Sequence, residues 1–275
     1  MFRFRFKRRR ILPSLGLCAT LTLTTGFCIG KSNRAIADEA NVVPAHSIKN
    51  VVLVHGAFVD ASIWSDVIRQ LQAAGYTPSA VQLPMTSLKA DIDATQQVID
   101  RTAAPILLVG YSYGGMPVTE VGSDPKVRGL VYVAAMAPRP GQSINDLFDR
   151  GAPGLPGQAA VEQSSDGFFW LTPSLFRMAL AHDAPEDRTA TMSVSQRPIA
   201  ISTFGQAVSK AAWMEKPSWY AISADDKIIP VALERKMAKD IKAVTIELNT
   251  AHASPLSQPK AVAAFISQAA NAIAD

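Results

Sequence analysis

ILLVGYSYGG, residues 106–115, is an aliphatic run that ends on a serine set among glycines. The β-branched and aliphatic side chains before Gly110 suit a strand buried on both faces. Removing side chains at Gly110, Gly114 and Gly115 suits close backbone approach at a sharp turn. The pattern G-x-S-x-G, here Gly110 to Gly114, holds a serine hydroxyl exposed at a strand-to-helix turn. Ser112 is therefore a candidate nucleophile, and a parallel sheet is the fold that such a turn calls for.

On both sides of this stretch, strand-like and helix-like periods alternate. NVVLVHG (50–56) reads as a buried strand, and ASIWSDVIRQLQAAG (61–75) as a helix with Trp64, Val67, Ile68 and Leu71 on its apolar side. TPSAVQLP (77–84) is a strand. LKADIDATQQVIDRT (88–102) is a helix with Leu88, Ile92, Val98 and Ile99 as its apolar positions. A helix follows Ser112, and VRGLVYVAAM (127–136) is the next strand. PSWYAISADD (217–226), PVALERKMAKDI (230–241), VTIELN (244–249) and SQPKAVAAFISQAANAIA (257–274) resume the pattern as strand, helix, strand, helix. Repeated strand–helix units predict an α/β fold, a mainly parallel sheet covered by helices on both faces. From about residue 139 to 213 the alternation stops. RPGQSINDLFDRGAPGLPGQ (139–158) is loop by its Pro and Gly content, and DGFFWLTPSLFRMALAHD (166–183) gathers aromatic residues. This insertion is expected to form a small helical cap, with Phe168, Phe169 and Trp170 as candidate substrate contacts.

The N-terminus belongs to a different kind of segment. MFRFRFKRRR carries basic charge only, an apolar stretch follows, and Ala35-Ile36-Ala37 offers a small-x-small cleavage site. This order predicts a signal peptide over 1–37, cleavage after Ala37, and a secreted or periplasmic domain over 38–275. The arginines before ILPSL are also compatible with twin-arginine export. Neither Cys18 nor Cys28 follows a small residue, so no lipid anchor is expected. The first 37 residues hold eight of the 27 basic side chains and none of the 23 acidic ones. The remaining domain is therefore mildly acidic, which removes the case for nucleic-acid binding. Both cysteines leave with the leader, so no disulfide and no Cys-based metal site is expected.

In open parallel sheets ligands sit at the C-terminal ends of the strands. There this chain places Ala57 and Phe58, the latter a further candidate substrate contact, then Ser112, then Asp225 and Asp226, then His252. The chain order Ser, Asp, His is that of a nucleophile-elbow hydrolase. Of the other histidines, His55 lies in the first loop, where it shapes the backbone, and His46 and His182 are expected to be solvated.

VLVHGA, GYSYGG and HASPLSQP resemble the α/β-hydrolase superfamily, and within it the small esterases grouped with methylesterases and hydroxynitrile lyases and their bacterial relatives. The resemblance covers nearly all of the chain after residue 37. It implies an α/β-hydrolase fold with Ser112 as nucleophile, His252 as base and Asp226, in the D-x-x-x-P position, as the residue that orients His252. It also implies an oxyanion hole from the backbone N–H groups of Ala57 and Tyr113, and no cofactor or metal. Two positions depart from the lyases, which carry threonine and lysine where this chain has Gly56 and Ala253. Haloalkane dehalogenases use an aspartate where Ser112 stands. The expected function is hydrolysis of a small-molecule carboxylic ester. Perhydrolysis, C–C hydrolysis and a non-catalytic ligand-binding role are the alternatives.

Overall fold

The computed structural model describes residues 48–148 and 154–273. The leader and its cleavage site lie outside the described residues. The main sheet holds β1 (Asn50–Val54), β2 (Thr77–Val81), β3 (Ile106–Tyr111), β4 (Val127–Val133), β8 (Ser218–Ser223) and β9 (Val244–Leu248). These six strands lie in the order β2-β1-β3-β4-β8-β9. Every neighbouring pair is parallel. All six residues of β3 are buried, as a central strand between two helix layers requires.

Chain order fixes the helix layers. From β1 the chain steps outward to β2 through α1 (Ser65–Ala73), then crosses back to β3 through α2 (Leu88–Arg101). Right-handed crossovers in opposite directions put α1 and α2 on opposite faces. Helix α3 (Gly115–Val121) packs on α2, and the C-terminal α9 (Pro259–Ala272) packs on α1. Strand order reverses between β1 and β3, which makes the loops after those two strands the expected crevice.

Helix boundaries follow local chemistry. Asp60 accepts the Ser62 N–H at 2.8 Å to open the turn before α1, and Ser87 caps α2 by accepting the Ala90 N–H at 3.1 Å. The α2 stripe differs from the expected one. Its buried residues are Leu88, Asp91, Thr95 and Ile99, whereas Ile92 and Val98 are only partly buried. A buried aspartate on a helix interior invites a partner, and Asp91 has two, the Met85 N–H and the Tyr113 hydroxyl.

The segment between β4 and β8 is mixed where a helical cap was expected. It holds α4 (Ile144–Leu147), α5 (Pro173–Leu180) and α6 (Glu186–Val194). It also holds a three-stranded antiparallel sheet of β5 (Val161–Gln163), β6 (Phe168–Leu171) and β7 (Ile199–Ala200). The hairpin between β5 and β6 turns at Gly167, whose φ of 88° is open to glycine without a side-chain clash. Asp166-Gly167 before an aromatic run is a hairpin signal, and it outweighs the helical reading of these residues.

Candidate active site

Strand β3 delivers Ser112 into a 3-10 turn that continues as α3, and Ser112 itself sits at φ 55°. That left-handed conformation is strained for a residue with a side chain, and it persists only where the surroundings enforce it. The glycines show how. A Cβ on Gly110 would lie 2.8 Å from the Gly114 carbonyl oxygen, and one on Gly114 would lie 2.6 Å from the carbonyl oxygens of Val54 and His55. Bare backbone lets β1, β3 and the start of α3 meet at one point, with the serine hydroxyl standing above it.

With the proton on Nδ1, His252 donates to Asp226 Oδ2 and receives the Ser112 hydroxyl at Nε2, 2.8 Å away. Asp226 is fixed in turn, because its Oδ1 accepts the N–H groups of Ile228 at 2.7 Å and Ile229 at 2.8 Å. His252 and Asp226 are buried, and Ser112 is only 7% exposed, so the whole chain of bonds is screened from water. Such an arrangement can take a proton from the hydroxyl as it attacks and hold the imidazolium that forms. Asp225 points elsewhere, to His182 Nε2 at 2.8 Å and to Lys227. Consecutive residues at the strand end face opposite ways, so one carboxylate alone reaches His252. His182, expected to be solvated, is instead partly buried against Asp225. His46 lies outside the described residues.

Ala57 and Tyr113 stand on the two loops that converge at Ser112. The contact is tight, since a Cβ on Gly56 would lie 2.7 Å from Ser112 Cβ and 3.2 Å from its Oγ. Tyr113 is the second residue of the helical turn that begins at Ser112, where N–H groups lack intrahelical acceptors and the helix dipole favours negative charge. Its side chain is pinned, as the phenol donates to Asp91 Oδ2 at 2.6 Å while Asp91 Oδ1 accepts the Met85 N–H at 2.8 Å. Burial raises the Asp91 carboxyl, although both bonds work against that rise. His55 is a structural strut: Nδ1 donates to the Gly56 carbonyl at 2.9 Å and Nε2 accepts the Leu83 N–H at 3.0 Å. Burial drives its pKa down to about 4, which keeps the ring neutral and the loop fixed. Phe58 is buried at φ 65° in the same loop.

The cap aromatics do not act as one cluster. Alternation along β6 sends Phe169 one way, edge-on to Phe204 with ring centroids 5.2 Å apart. Phe168 and Trp170 face the other way. With Pro84, Arg197 and Pro198 they line a groove of about 460 Å³, and the Trp170 indole donates to Glu162.

Three buried groups, one beside His252, one beside Asp226 and one behind Tyr113, escaped the sequence reading. Tyr111 packs against the His252 ring with centroids 5.1 Å apart, and Trp64 meets Tyr111 edge-on at 6.2 Å. Asp91 is the second. The third is Glu234 on α7 (Val231–Asp240), fully buried, with Oε2 accepting the Ser223 N–H at 3.1 Å. Burial, and then the neighbouring Asp226 charge, push the Glu234 carboxyl well above the usual carboxylate range, which favours its neutral form. The signal available in sequence was polar residues on helical stripes otherwise facing the core. Among the described residues no group of three His, Cys, Asp or Glu side chains could hold a metal ion. Among the same residues no helix is long and apolar enough to cross a membrane.

Residues 51–265 match a family model described as the alpha/beta hydrolase family. An alpha/beta hydrolase of Aspergillus novofumigatus is 25% identical over 246 residues, covering 80% of this chain and 96% of its own. Polyneuridine aldehyde esterase of Rauvolfia serpentina is 22% identical over 246 residues, covering 78% of this chain and 92% of its own. The crystal structure of a pyrethroid hydrolase from Sphingobium faniae superposes with a TM-score of 0.73 at 22% identity, covering 82% of this chain and 98% of that one.

Proposed function

This chain belongs to the α/β-hydrolase family, and from that premise we propose that it is a serine esterase acting on small to medium carboxylic esters. The observation that carries the reading is the bonded chain from Ser112 through His252 to Asp226, built around a serine in a strained conformation. In the proposed reaction His252 Nε2 takes the hydroxyl proton as Ser112 Oγ attacks the ester carbonyl. The oxyanion that develops is met by the N–H groups of Ala57 and Tyr113, donors fixed in place before reaction. His252 then returns the proton to the departing alcohol, leaving an acyl group on Ser112. Water, deprotonated by the same imidazole, releases the acid. Asp226 keeps the imidazole proton on Nδ1 throughout and balances the imidazolium charge.

An esterase among the relatives supports ester cleavage over other hydrolyses. Ser112→Ala or His252→Ala is expected to lower kcat by roughly 10⁴–10⁶, because the members of such a unit fail together. A fluorophosphonate probe should label the unaltered protein at Ser112 alone. Near-normal ester hydrolysis by Ser112→Ala would overturn the reading. The leader is part of the same proposal: export with cleavage between Ala37 and Asp38, which N-terminal sequencing of exported protein decides.

A further inference from the structure

Residues 180–183 of the cap, at the end of α5, bond to both loops that carry the proposed acid and base. The Leu180 carbonyl accepts the Ala253 N–H at 2.8 Å. Asp183 Oδ2 accepts the Thr250 hydroxyl at 2.7 Å and the Ala251 N–H at 2.9 Å, and its Oδ1 accepts the Ser257 hydroxyl at 2.6 Å. His252 lies between the residues so held. His182 turns the other way and donates from Nε2 to Asp225, the residue before Asp226.

The His252 loop needs such anchors. Strand β9 ends at Leu248 and the next helix, α8 (Ser254–Ser257), begins six residues later, so the stretch 249–253 has no ladder of its own. From the sheet side it is tied by the Asp225 N–H to the Thr250 carbonyl at 3.0 Å. From the cap side it is tied through Asp183. Partial burial works to raise the Asp183 carboxyl, and the bonds from Ser257, Ala251 and Thr250 outweigh it and hold the group below the usual carboxylate range. An ionised acceptor makes each of those bonds stronger than a neutral one.

We propose that Asp183 is a positioning residue for His252, and that through it the cap sets where the imidazole stands between Ser112 and Asp226. The proposal rests on reading those three residues as the catalytic unit. Displacing a reacting group by about 1 Å can cost roughly 10²-fold in rate. Asp183→Ala is therefore expected to lower kcat on p-nitrophenyl butyrate by about 10- to 100-fold while KM stays within about twofold. Asp183→Asn, which keeps an acceptor for Thr250 and Ala251 and offers its N–H to the Ser257 oxygen, should recover most of the loss. The low-field proton resonance of His252 Nδ1–H gives a readout independent of turnover: it should broaden or shift in Asp183→Ala and return in Asp183→Asn. Should Asp183→Ala not fold, the double variant Thr250→Val, Ser257→Ala removes two of the donors with Asp183 intact, and the same loss in kcat is expected in part. Unaltered kcat and resonance in Asp183→Ala, or in the double variant where it stands in, would show a merely structural contact and overturn the proposal. Retained hydrolysis by Ser112→Ala is a separate result, which removes the catalytic reading and this proposal with it.

Discussion

Asp226→Asn changes one atom, and the surrounding bonds dictate how the site responds. Asp226 Oδ1 accepts two backbone N–H groups, from Ile228 at 2.7 Å and Ile229 at 2.8 Å. An amide NH₂ turned that way would set donors against donors in a buried site, at roughly 1–3 kcal/mol for each group left unpaired. The asparagine therefore keeps its oxygen on the backbone and turns its NH₂ toward His252 Nδ1. That nitrogen must now accept, so the imidazole proton moves to Nε2, which faces Ser112 Oγ at 2.8 Å. A protonated Nε2 cannot take the hydroxyl proton. Loss of the correct tautomer is expected to lower kcat by about 10⁴, roughly 5.5 kcal/mol of transition-state stabilisation. Asp225→Asn is the control: its side chain is 48% exposed and serves only His182 and Lys227. Its effect should stay within about twofold, the reach of a surface substitution of ~0.5 kcal/mol. The assay is steady-state hydrolysis of p-nitrophenyl butyrate from pH 6 to 9, with circular dichroism confirming the fold. A loss for Asp226→Asn of under about tenfold, or a larger loss for Asp225→Asn, would refute the tautomer argument.

Gly56→Ala would set a methyl 2.7 Å from Ser112 Cβ and 3.1 Å from the Tyr111 carbonyl oxygen. Overpacking of that kind costs about 1–3 kcal/mol, and the displaced serine should lose roughly 10²-fold in kcat; a variant with normal kcat and Tm would show that the loop gives way freely. The Glu234 carboxyl is raised by burial and by Asp226, so its contribution is full below the unfolded value and is lost as pH rises through the folded one. Glu234→Gln should therefore raise Tm more at pH 8 than at pH 4.5, each ~1 kcal/mol being about 2–4 °C at this size; an equal shift at both pH values would contradict a buried neutral acid. Across p-nitrophenyl esters from C2 to C16, each buried methylene adds about 0.8 kcal/mol only while room remains, so kcat/KM should peak at short to medium chains. A value still climbing at C16 would mark a lipid-type cleft.

The sheet was legible because its inner strands β1, β3, β4 and β8 are mostly apolar, buried runs separated by helical periods, and parallel strands buried on two faces leave few alternatives. Ser112, Asp226 and His252 could be singled out because each follows a strand end, the one place such a sheet gathers chemistry. The cap was less legible. Its strands are two to four residues long, too short for a period to declare itself, and the helical reading passed over the Asp166-Gly167 turn. As strand β6, Phe168, Phe169 and Trp170 divide between two faces, an alternation too short to read from the sequence. Asp91, Asp183 and Glu234 were missed for another reason. A carboxylate's worth depends on what three-dimensional packing brings to it, and their partners lie 22, 67 and 11 residues away or at similar distances along the chain.

Backbone strain gives a reason to place the chemistry at these strand ends that does not depend on the Ser–His–Asp pattern. Among the described residues, five without a glycine's freedom have positive φ: Phe58, Met85, Ser112, Ala134 and Lys242. Lys242 follows the end of α7, where a left-handed residue commonly closes a helix. The other four each fall within four residues after the C-terminal end of β1, β2, β3 or β4. Each costs of order 1–3 kcal/mol, and glycine would relieve the backbone at any of them. Instead Phe58 and Met85 keep large side chains, both buried, and Met85 is bonded through its N–H to the same Asp91 that anchors Tyr113. Three of the four turns are bonded to one another. Asp91 ties the turn after β2 to the turn after β3, and the Ser112 carbonyl receives the Met136 N–H at 3.0 Å, tying the latter to the loop after β4. A strained serine remains strained only if its neighbours cannot relax around it. Here Met85 and Tyr113 share Asp91 and the Met136 N–H holds the Ser112 carbonyl, so the turns after β2, β3 and β4 brace one another and limit how far Ser112 can relax.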